Sequence, residues 1–307
     1  MLALTALAFQ LTWHSGASLP EPRAGLLHAV VDGKLLAAGG AYWKDNQKIW
    51  SRRMDLYDAA TNSWSPGAPM PQTRADSASV AAGDEILFLG GTSDGAVLSD
   101  VLALTKGGAW ESRPAMQLPG PRSYPRAASR GRKIYLFGGH ERLGDLQSIQ
   151  SEVYVWNLDR PESGWQPVSR MPGPARSNYA LAVLGSRAYV FGGVAALDGS
   201  LRNLSDAWSY DFDRNEWQEL PGTPVPNRAW NAAAETDSIL ILGGYTTDFC
   251  KDVLRFTPAS GKYEAGTPLP QGLADIQFLW LGKDLYVTGG ESGPKIRSGN
   301  TWQGILR

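Results

Sequence analysis

"KIYLFGG", residues 133–139, is a lysine, a run of four apolar or aromatic residues and two glycines. So short a run reads as a buried strand, and the glycine pair that stops it permits positive φ and close backbone approach. Five other stretches follow the same plan: KLLAAGG (34–40), EILFLGG (85–91), RAYVFGG (187–193), SILILGG (238–244) and DLYVTGG (284–290). Successive copies lie 51, 48, 54, 51 and 46 residues apart. A period near fifty residues marks a repeat architecture, and every other residue takes its meaning from its place in the unit.

An aromatic residue follows each of the first five glycine pairs: Trp64, Trp110, Trp165, Trp217 and Tyr263. Ten to twelve residues later comes a Pro-containing turn, usually with an arginine: Arg74, Arg122, Arg176 and Arg228, with Leu273 in that place after Tyr263. Trp13 has no glycine pair before it but is followed by Arg23, whereas the sixth pair is followed by NTWQGILR and no aromatic marker. The two ends therefore complete one unit, with the first strand closing the last sheet, an arrangement that removes exposed sheet edges. The joined ends leave 30 residues between the sixth pair and Trp13, against 19 to 26 elsewhere. Residues 1–7 are accordingly expected outside the ring, as a disordered leader or a signal remnant, and residues 8–307 form one domain.

The period suits about four short strands per unit, and the chain resembles the Kelch-repeat β-propellers from about Leu11 to Arg307. The resemblance rests on the six heptads, on DLYDAATNSW (55–64), on SYDFDRNEW (209–217) and on MPGPARSNYA (171–180). It implies an all-β, six-bladed Kelch propeller with four antiparallel strands per blade, the last blade closed by the N-terminal strand. Propellers host unrelated activities, so function has to be argued from a site.

Composition narrows the classes. With 43% apolar residues and 19% charged, 307 residues bury a sizeable core. Lys and Arg number 29 against 30 Asp and Glu, with no basic stripe, which argues against nucleic acid as a partner. A single cysteine, Cys250, excludes an internal disulfide, and it has no C-x-x-C partner. The apolar run LALTALAF (2–9) is too short to span a bilayer and lacks a preceding Lys or Arg, which leaves the compartment open. No phosphate-cradling loop follows the glycine pairs, and no G-x-S-x-G elbow is present.

In a propeller the groups nearest the axis stand at the start of each innermost strand. In animal Kelch adaptors, residues at and just after the repeat arginine line the ligand pocket. Carried over position by position, the resemblance implies Arg23, Arg74 with Asp76, Arg122 with Tyr124 and Arg126, Arg176 with Asn178, Arg228 with Trp230, and Asp275. Arginines facing one mouth favour an anionic ligand, since guanidinium groups bind carboxylates bidentately; alternatively each arginine ties down its own turn. The variety of Asp76, Tyr124, Asn178, Trp230 and Asp275 is what an asymmetric pocket needs. Trp43 and Trp50, in the long segment after the first pair, either stack on a sugar or partner or cap the blade.

After the other five glycine pairs stand Ala41, Thr92, His140, Val194 and Tyr245; Glu291 is the one carboxylate in that position, with Arg297 six residues on. This resembles a segment of the bacterial N-acetylneuraminate epimerases, Kelch propellers that interconvert sialic acid anomers. The resemblance implies Glu291 as general base and Arg297 as holder of the sugar carboxylate, although the long inter-blade insertions expected of that family are missing and the glutamate stands in the last unit. Galactose oxidase is also a Kelch propeller, but its copper chemistry needs tyrosine and histidine ligands, and His14, His28 and His140 show no ligand spacing. The expectation is no cofactor and no metal. Asn203-Leu204-Ser205 matches a glycosylation sequon. Two functions stay open: a module that holds a protein, peptide, glycan or small anionic ligand at the channel mouth, and a sialic-acid-type sugar mutarotase.

Overall fold

The structure, a computed structural model, describes residues 9–307. The leader expected over residues 1–7 lies outside them. Each glycine-pair heptad forms the second strand of an antiparallel sheet, and six such sheets follow one another along the chain. The first contains Ala24–Val31, Lys34–Lys44, Met54–Asp58 and Ser63–Pro66, with Gln47–Trp50 folded back on the second strand. The second contains Ala78–Ala82, Glu85–Leu89, Val101–Leu104 and Trp110–Ser112, and the third Arg126–Arg130, Lys133–His140, Ile149–Asn157 and Gln166–Arg170.

The fourth contains Ala180–Leu184, Arg187–Leu197, Ser200–Asp211 and Glu216–Leu220, with the short strand Arg176–Ser177 also paired to Arg187–Leu197. The fifth is built from Arg228–Ala234, Ile239–Tyr245, Val253–Thr257 and Lys262–Ala265. In the sixth, Gln277–Leu281, Asp284–Thr288 and Thr301–Leu306 are joined by Leu11–Ser15, which pairs in register with Thr301–Leu306. Among the described residues helix is limited to three single 3-10 turns, and no helix is long and apolar enough to cross a membrane.

The core lies between successive sheets. Leu36 and Met54 of the first pack with Phe88 and Leu102 of the second. Leu87 and Val101 of the second meet Leu136 and Trp156 of the third. Similar layers join the third to the fourth, the fourth to the fifth and the fifth to the sixth. Tyr286 of the sixth sheet then packs with Leu35 and Tyr57 of the first. Each such buried Leu or Phe contributes about 1.5–3 kcal/mol.

The repeated aromatics bolt these layers together at the outer strands. Trp64 donates to the Ala17 carbonyl (2.9 Å), Trp110 to Ala68 (2.8 Å) and Trp165 to Met116 (2.9 Å). Trp217 donates to the Ser169 hydroxyl (2.9 Å) and Tyr263 to the Pro221 carbonyl (2.8 Å). Trp13 takes the same role towards the Thr267 carbonyl at 3.4 Å.

The glycine pairs link the inner ends. Their first members have φ between +51° and +69° and their second between +82° and +103°. The second glycine donates its N–H to the next unit: Gly40 to the Arg74 carbonyl, Gly91 to Arg122, Gly193 to Asn227, Gly244 to Leu273, and Gly290 to Arg23. At Gly39 an added Cβ would stand 2.1 Å from the Arg74 carbonyl oxygen, which is why no side chain fits.

Candidate functional site

Two rings of residues converge at the inner ends of the sheets. The first is Gly25, Asp76, Tyr124, Asn178, Ala229 and Asp275, every one with φ between +51° and +66°. Backbone hydrogen bonds tie its members across units: Asp76 N–H to the Gly25 carbonyl, Tyr124 to Asp76, Ala229 to Asn178, and Asp275 to Ala229. The second ring is Ala41, Thr92, His140, Val194, Tyr245 and Glu291. Each is bridged across strands to the residue just before a first-ring member: Ala24, Ala75, Ser123, Ser177, Arg228 and Ala274. Glu291 thus occupies a repeat position and differs from its counterparts in its side chain.

Four of the arginines expected at the mouth are elsewhere. Arg23, Arg74 and Arg176 are fully buried, and Arg122 is nearly so. Arg23 donates to the Gly39 carbonyl (2.7 Å) and pairs with Asp55 (2.5 Å). Arg74 donates to Gly90 and pairs with Asp100, both at 2.5 Å. Arg176 bonds Gly192 (3.3 Å) and Asp206 (2.5 Å), and Arg122 pairs with Glu141 at 3.0 Å. Each arginine staples a glycine-ended strand to its own unit, because a buried guanidinium requires a carboxylate and carbonyl partners. Arg74 Nε and Arg176 Nε have no hydrogen-bond partner, but both are buried, and none of the four arginines borders the cavities described below.

The fifth unit is displaced by one residue from the sequence reading. Asn227 is the buried counterpart of the arginines: its amide donates to the Gly243 carbonyl at 3.1 Å, and its Oδ1 accepts from the Tyr245 N–H at 2.8 Å. The first-ring residue is therefore Ala229, whereas Trp230 is 1% exposed and donates to the Phe191 carbonyl at 3.0 Å. The signal was available, since the arginine position always precedes the first glycine of the pair by 16 residues, from Arg23 and Gly39 to Asn227 and Gly243. The displacement releases Arg228 from its structural duty. Its Nη1 donates to Asn203 Oδ1 (2.7 Å), its guanidinium lies 4.6 Å from the Tyr245 ring, and no carboxylate pairs with it among the described residues.

Arg228, Tyr124, Asn178, Tyr245, Asp275 and Glu291 face a cavity of about 320 Å³, which Phe249 and Pro294 also border. Below it Asp76, Tyr124, Arg126 and Asp275 surround a narrow space of about 20 Å³ with His28 at its side. Arg126 there donates to the Tyr179 carbonyl at 3.1 Å. Of the expected residues, Asp76, Tyr124, Arg126, Asn178, Arg228, Asp275 and Glu291 are brought together, and Tyr245, Phe249 and Lys48 are additions.

Lys48 arrives on the folded-back strand Gln47–Trp50. Its Nζ is 3.8 Å from Asp76 Oδ2, while Trp50 donates to Thr92 Oγ1 (3.0 Å), which donates to Asp76 Oδ2 (2.9 Å). Trp50 carries Lys48 over its ring and Trp43 carries Lys295, so both tryptophans are engaged within the chain. Asn203 of the sequon is likewise engaged, its amide donating to the Tyr245 carbonyl at 2.8 Å.

The electrostatics follow from burial and like charge. Burial pushes the Asp76 carboxyl up to about 6; Asp275 adds to the rise, and Lys48, the Thr92 hydroxyl and Arg297 oppose it. Burial also raises Glu291, with Asp275 and Asp76 acting in the same direction against Arg297 and Lys48. The Asp76 charge, then burial, Asp275 and Glu291, hold the Tyr124 phenol well above its ordinary value. Tyr124 is therefore a hydrogen-bond donor at neutral pH. His140, 2.6 Å from the Ser177 hydroxyl through Nε2, is shifted down by burial, as is His28.

Arg297 does not border the cavity. The ribbon Glu291–Gly293 with Ile296–Arg297 pairs Glu291 directly with Arg297, which explains their six-residue spacing. Arg297 Nη1 lies 2.7 Å from Glu291 Oε1, a charge contact, and Nε donates to the Ala41 carbonyl at 3.1 Å.

Comparison with known proteins adds the family. Residues 22–71 match the Kelch motif, and residues 104–290 match the KLHDC2/KLHL20/DRC7 Kelch-repeats domain. The chain is similar to N-acetylneuraminate epimerase of Yersinia enterocolitica, 30% identical over 52% of this chain and 51% of that protein. The Haemophilus influenzae protein of the same name is 25% identical over 52% of each chain. Kelch-like protein 36 of Bos taurus is 27% identical over 86% of this chain and 43% of its own length. The chain thus spans about half the length of the curated relatives it matches. With six glycine-pair strands, a buried polar staple in five of the units and a family match covering residues 104–290, this all-β chain belongs to the Kelch-repeat family of β-propellers.

Proposed function

We propose that the six sheets are the blades of one propeller, the last completed by Leu11–Ser15, and that its mouth binds an acidic monosaccharide and interconverts its anomers. The observation that carries this reading is the placement of Glu291: a half-buried carboxyl, raised by burial, opening on a polar cavity that also holds the unpaired guanidinium of Arg228. The names of the epimerase relatives support the same chemistry. A cavity of about 320 Å³ lies within the usual range of small-ligand sites, about 300–1,000 Å³.

In this reading Arg228 holds the sugar carboxylate, the role that the resemblance to the epimerases implies for Arg297; Arg297 instead stands beside Glu291 and tempers its basicity. Glu291 takes the proton of the anomeric hydroxyl, and the ring oxygen gains a proton from water as the ring opens to the carbonyl form. Tyr124, still protonated, offers a hydrogen bond to the oxygen that gains charge. Re-closure on the other face reverses both transfers and restores Glu291.

NMR of freshly released N-acetylneuraminate measures the exchange of anomers directly. Wild type is expected to equilibrate them faster than buffer, with an acid limb above the ordinary carboxylate range, because only ionised Glu291 is a base. Glu291→Gln is expected to lose about 10²–10⁴-fold. Equilibration no faster than buffer would remove the catalytic reading.

A second reading, a non-catalytic binding module for a protein, peptide or glycan, is favoured by the 86% coverage of the match to Kelch-like protein 36. Under it, ligand binding depends on Arg228 while Glu291→Gln is silent.

A further inference from the structure

A second cavity of about 590 Å³ lies on the other side of Arg228, between the fourth and fifth sheets. Arg228 borders both spaces, and its Asn203 partner borders the outer one. The side chains of these two residues form a polar sill, backed by the Tyr245 ring on which the guanidinium lies. Only one of the guanidinium nitrogens, Nη1, has a hydrogen-bond partner among the described residues. Donors therefore remain for a molecule that crosses the sill.

The outer groove has the chemistry of a sugar site. Thr246 and Thr247 supply hydroxyls, Asp252 supplies a carboxylate, and Leu201, Val225 and Pro226 supply apolar surface. Asp252 is exposed, and its carboxylate forms no ion pair among the described residues. A carboxylate without a cationic partner at the edge of a groove suits paired sugar hydroxyls, which donate to its two oxygens. Leu201, 51% exposed, offers a flat apolar contact to the C–H face of a pyranose. Arg202, 3.7 Å from Asp198, also borders the groove and supplies a cation for the carboxylate of an acidic sugar, while Asp252 accepts from its hydroxyls.

We infer that the groove is a second saccharide subsite, so that the ligand is a reducing oligosaccharide: its reducing-end residue sits in the mouth, Arg228 spans the junction, and the next residue lies against Leu201 and Asp252. The inference rests on the anomer-interconverting reading of the mouth. It places the free anomeric hydroxyl at Glu291 and directs the rest of the chain outwards over the sill.

The test compares N-acetylneuraminate with its α2,8-linked reducing dimer as probes, following anomer exchange at the reducing end by NMR and KM from the concentration dependence. The dimer is expected to show a KM at least tenfold lower than the monomer. Thr247→Trp, which fills the groove, and Asp252→Asn, which removes its carboxylate, are each expected to erase that advantage while monomer turnover stays within twofold. Turnover of the monomer with no gain for the dimer, or an advantage that survives both substitutions, would overturn the subsite and leave the reading of the mouth intact. Failure to turn over either probe would overturn the reading of the mouth and the subsite together.

Discussion

At the scale of single residues, position relative to the repeat decides the task. Arg23, Arg74, Arg122 and Arg176 are buried and paired, whereas Arg228, one place out of step, borders the cavity. The sequence displays all five as equivalent, because composition around a turn does not reveal which side chain points inward; the offset of 16 residues to the glycine pair does. Asp76, Tyr124 and Asn178 are legible from their distance to the arginine, and Asp275 from its distance to Leu273 in the same place. Lys48 is not, because its approach to Asp76 depends on the fold-back of Gln47–Trp50. Asp76 also gives a pH prediction. Its folded value of about 6 lies above the ordinary 3.8, so the native state binds its proton more tightly. That contribution is complete below pH 3.8 and is lost as the pH rises through about 6, on the order of 2–3 kcal/mol in all. Lys48, Asp275 and Arg297 all face this carboxyl and shape the midpoint. Asp76→Asn is expected to gain stability relative to wild type at pH 8 and to lose that gain near pH 4. Urea unfolding at the two pH values measures it, and a gain equal at both would contradict the burial of this charge.

At the scale of elements, the glycine-pair strand is the most readable feature and also the least tolerant. Gly39 and Gly83 have similar backbone angles, +59° and +65°, so alanine meets a similar left-handed cost of about 1–2 kcal/mol at each. Around Gly83 nothing lies within 4 Å of an added Cβ, whereas at Gly39 the Arg74 carbonyl oxygen lies 2.1 Å away. Gly83→Ala is thus expected to cost little more than the backbone strain. Gly39→Ala should cost a further ~1–3 kcal/mol from overpacking, seen as a lower urea midpoint at unchanged slope. Equal midpoints would mean that the strand end is not held against the next unit. The short ribbon carrying Glu291 and Arg297 shows the opposite case: its spacing is visible in sequence, but that the two side chains pair with each other is a property of the hairpin.

For the whole molecule, six copies of one pattern make the all-β class and the layered core readable from the sequence alone. The pairing of Leu11–Ser15 with Thr301–Leu306 follows from the same ruler, since Trp13 bonds Thr267 just as Trp64 bonds Ala17. Leu11 is 3% exposed and packs with Leu240, Leu242 and Leu285 of the fifth and sixth sheets. Leu11→Ala is therefore expected to cost about 2–5 kcal/mol and to lower Tm by several degrees, a loss that thermal unfolding will show. A change under one degree would mean that this strand adds little to the sixth sheet.

The inner ring has a consequence for how such a chain acquires new chemistry. Four main-chain hydrogen bonds join its members Gly25, Asp76, Tyr124, Asn178, Ala229 and Asp275 across units, and none of those four uses a side chain of the ring, although Lys48 of the first unit also reaches the Asp76 carboxylate. Side chains there are tenants of a frame that stands without them. New specificities can be written at these six places one at a time, provided that each newcomer tolerates a left-handed backbone, as glycine, asparagine and aspartate do most readily.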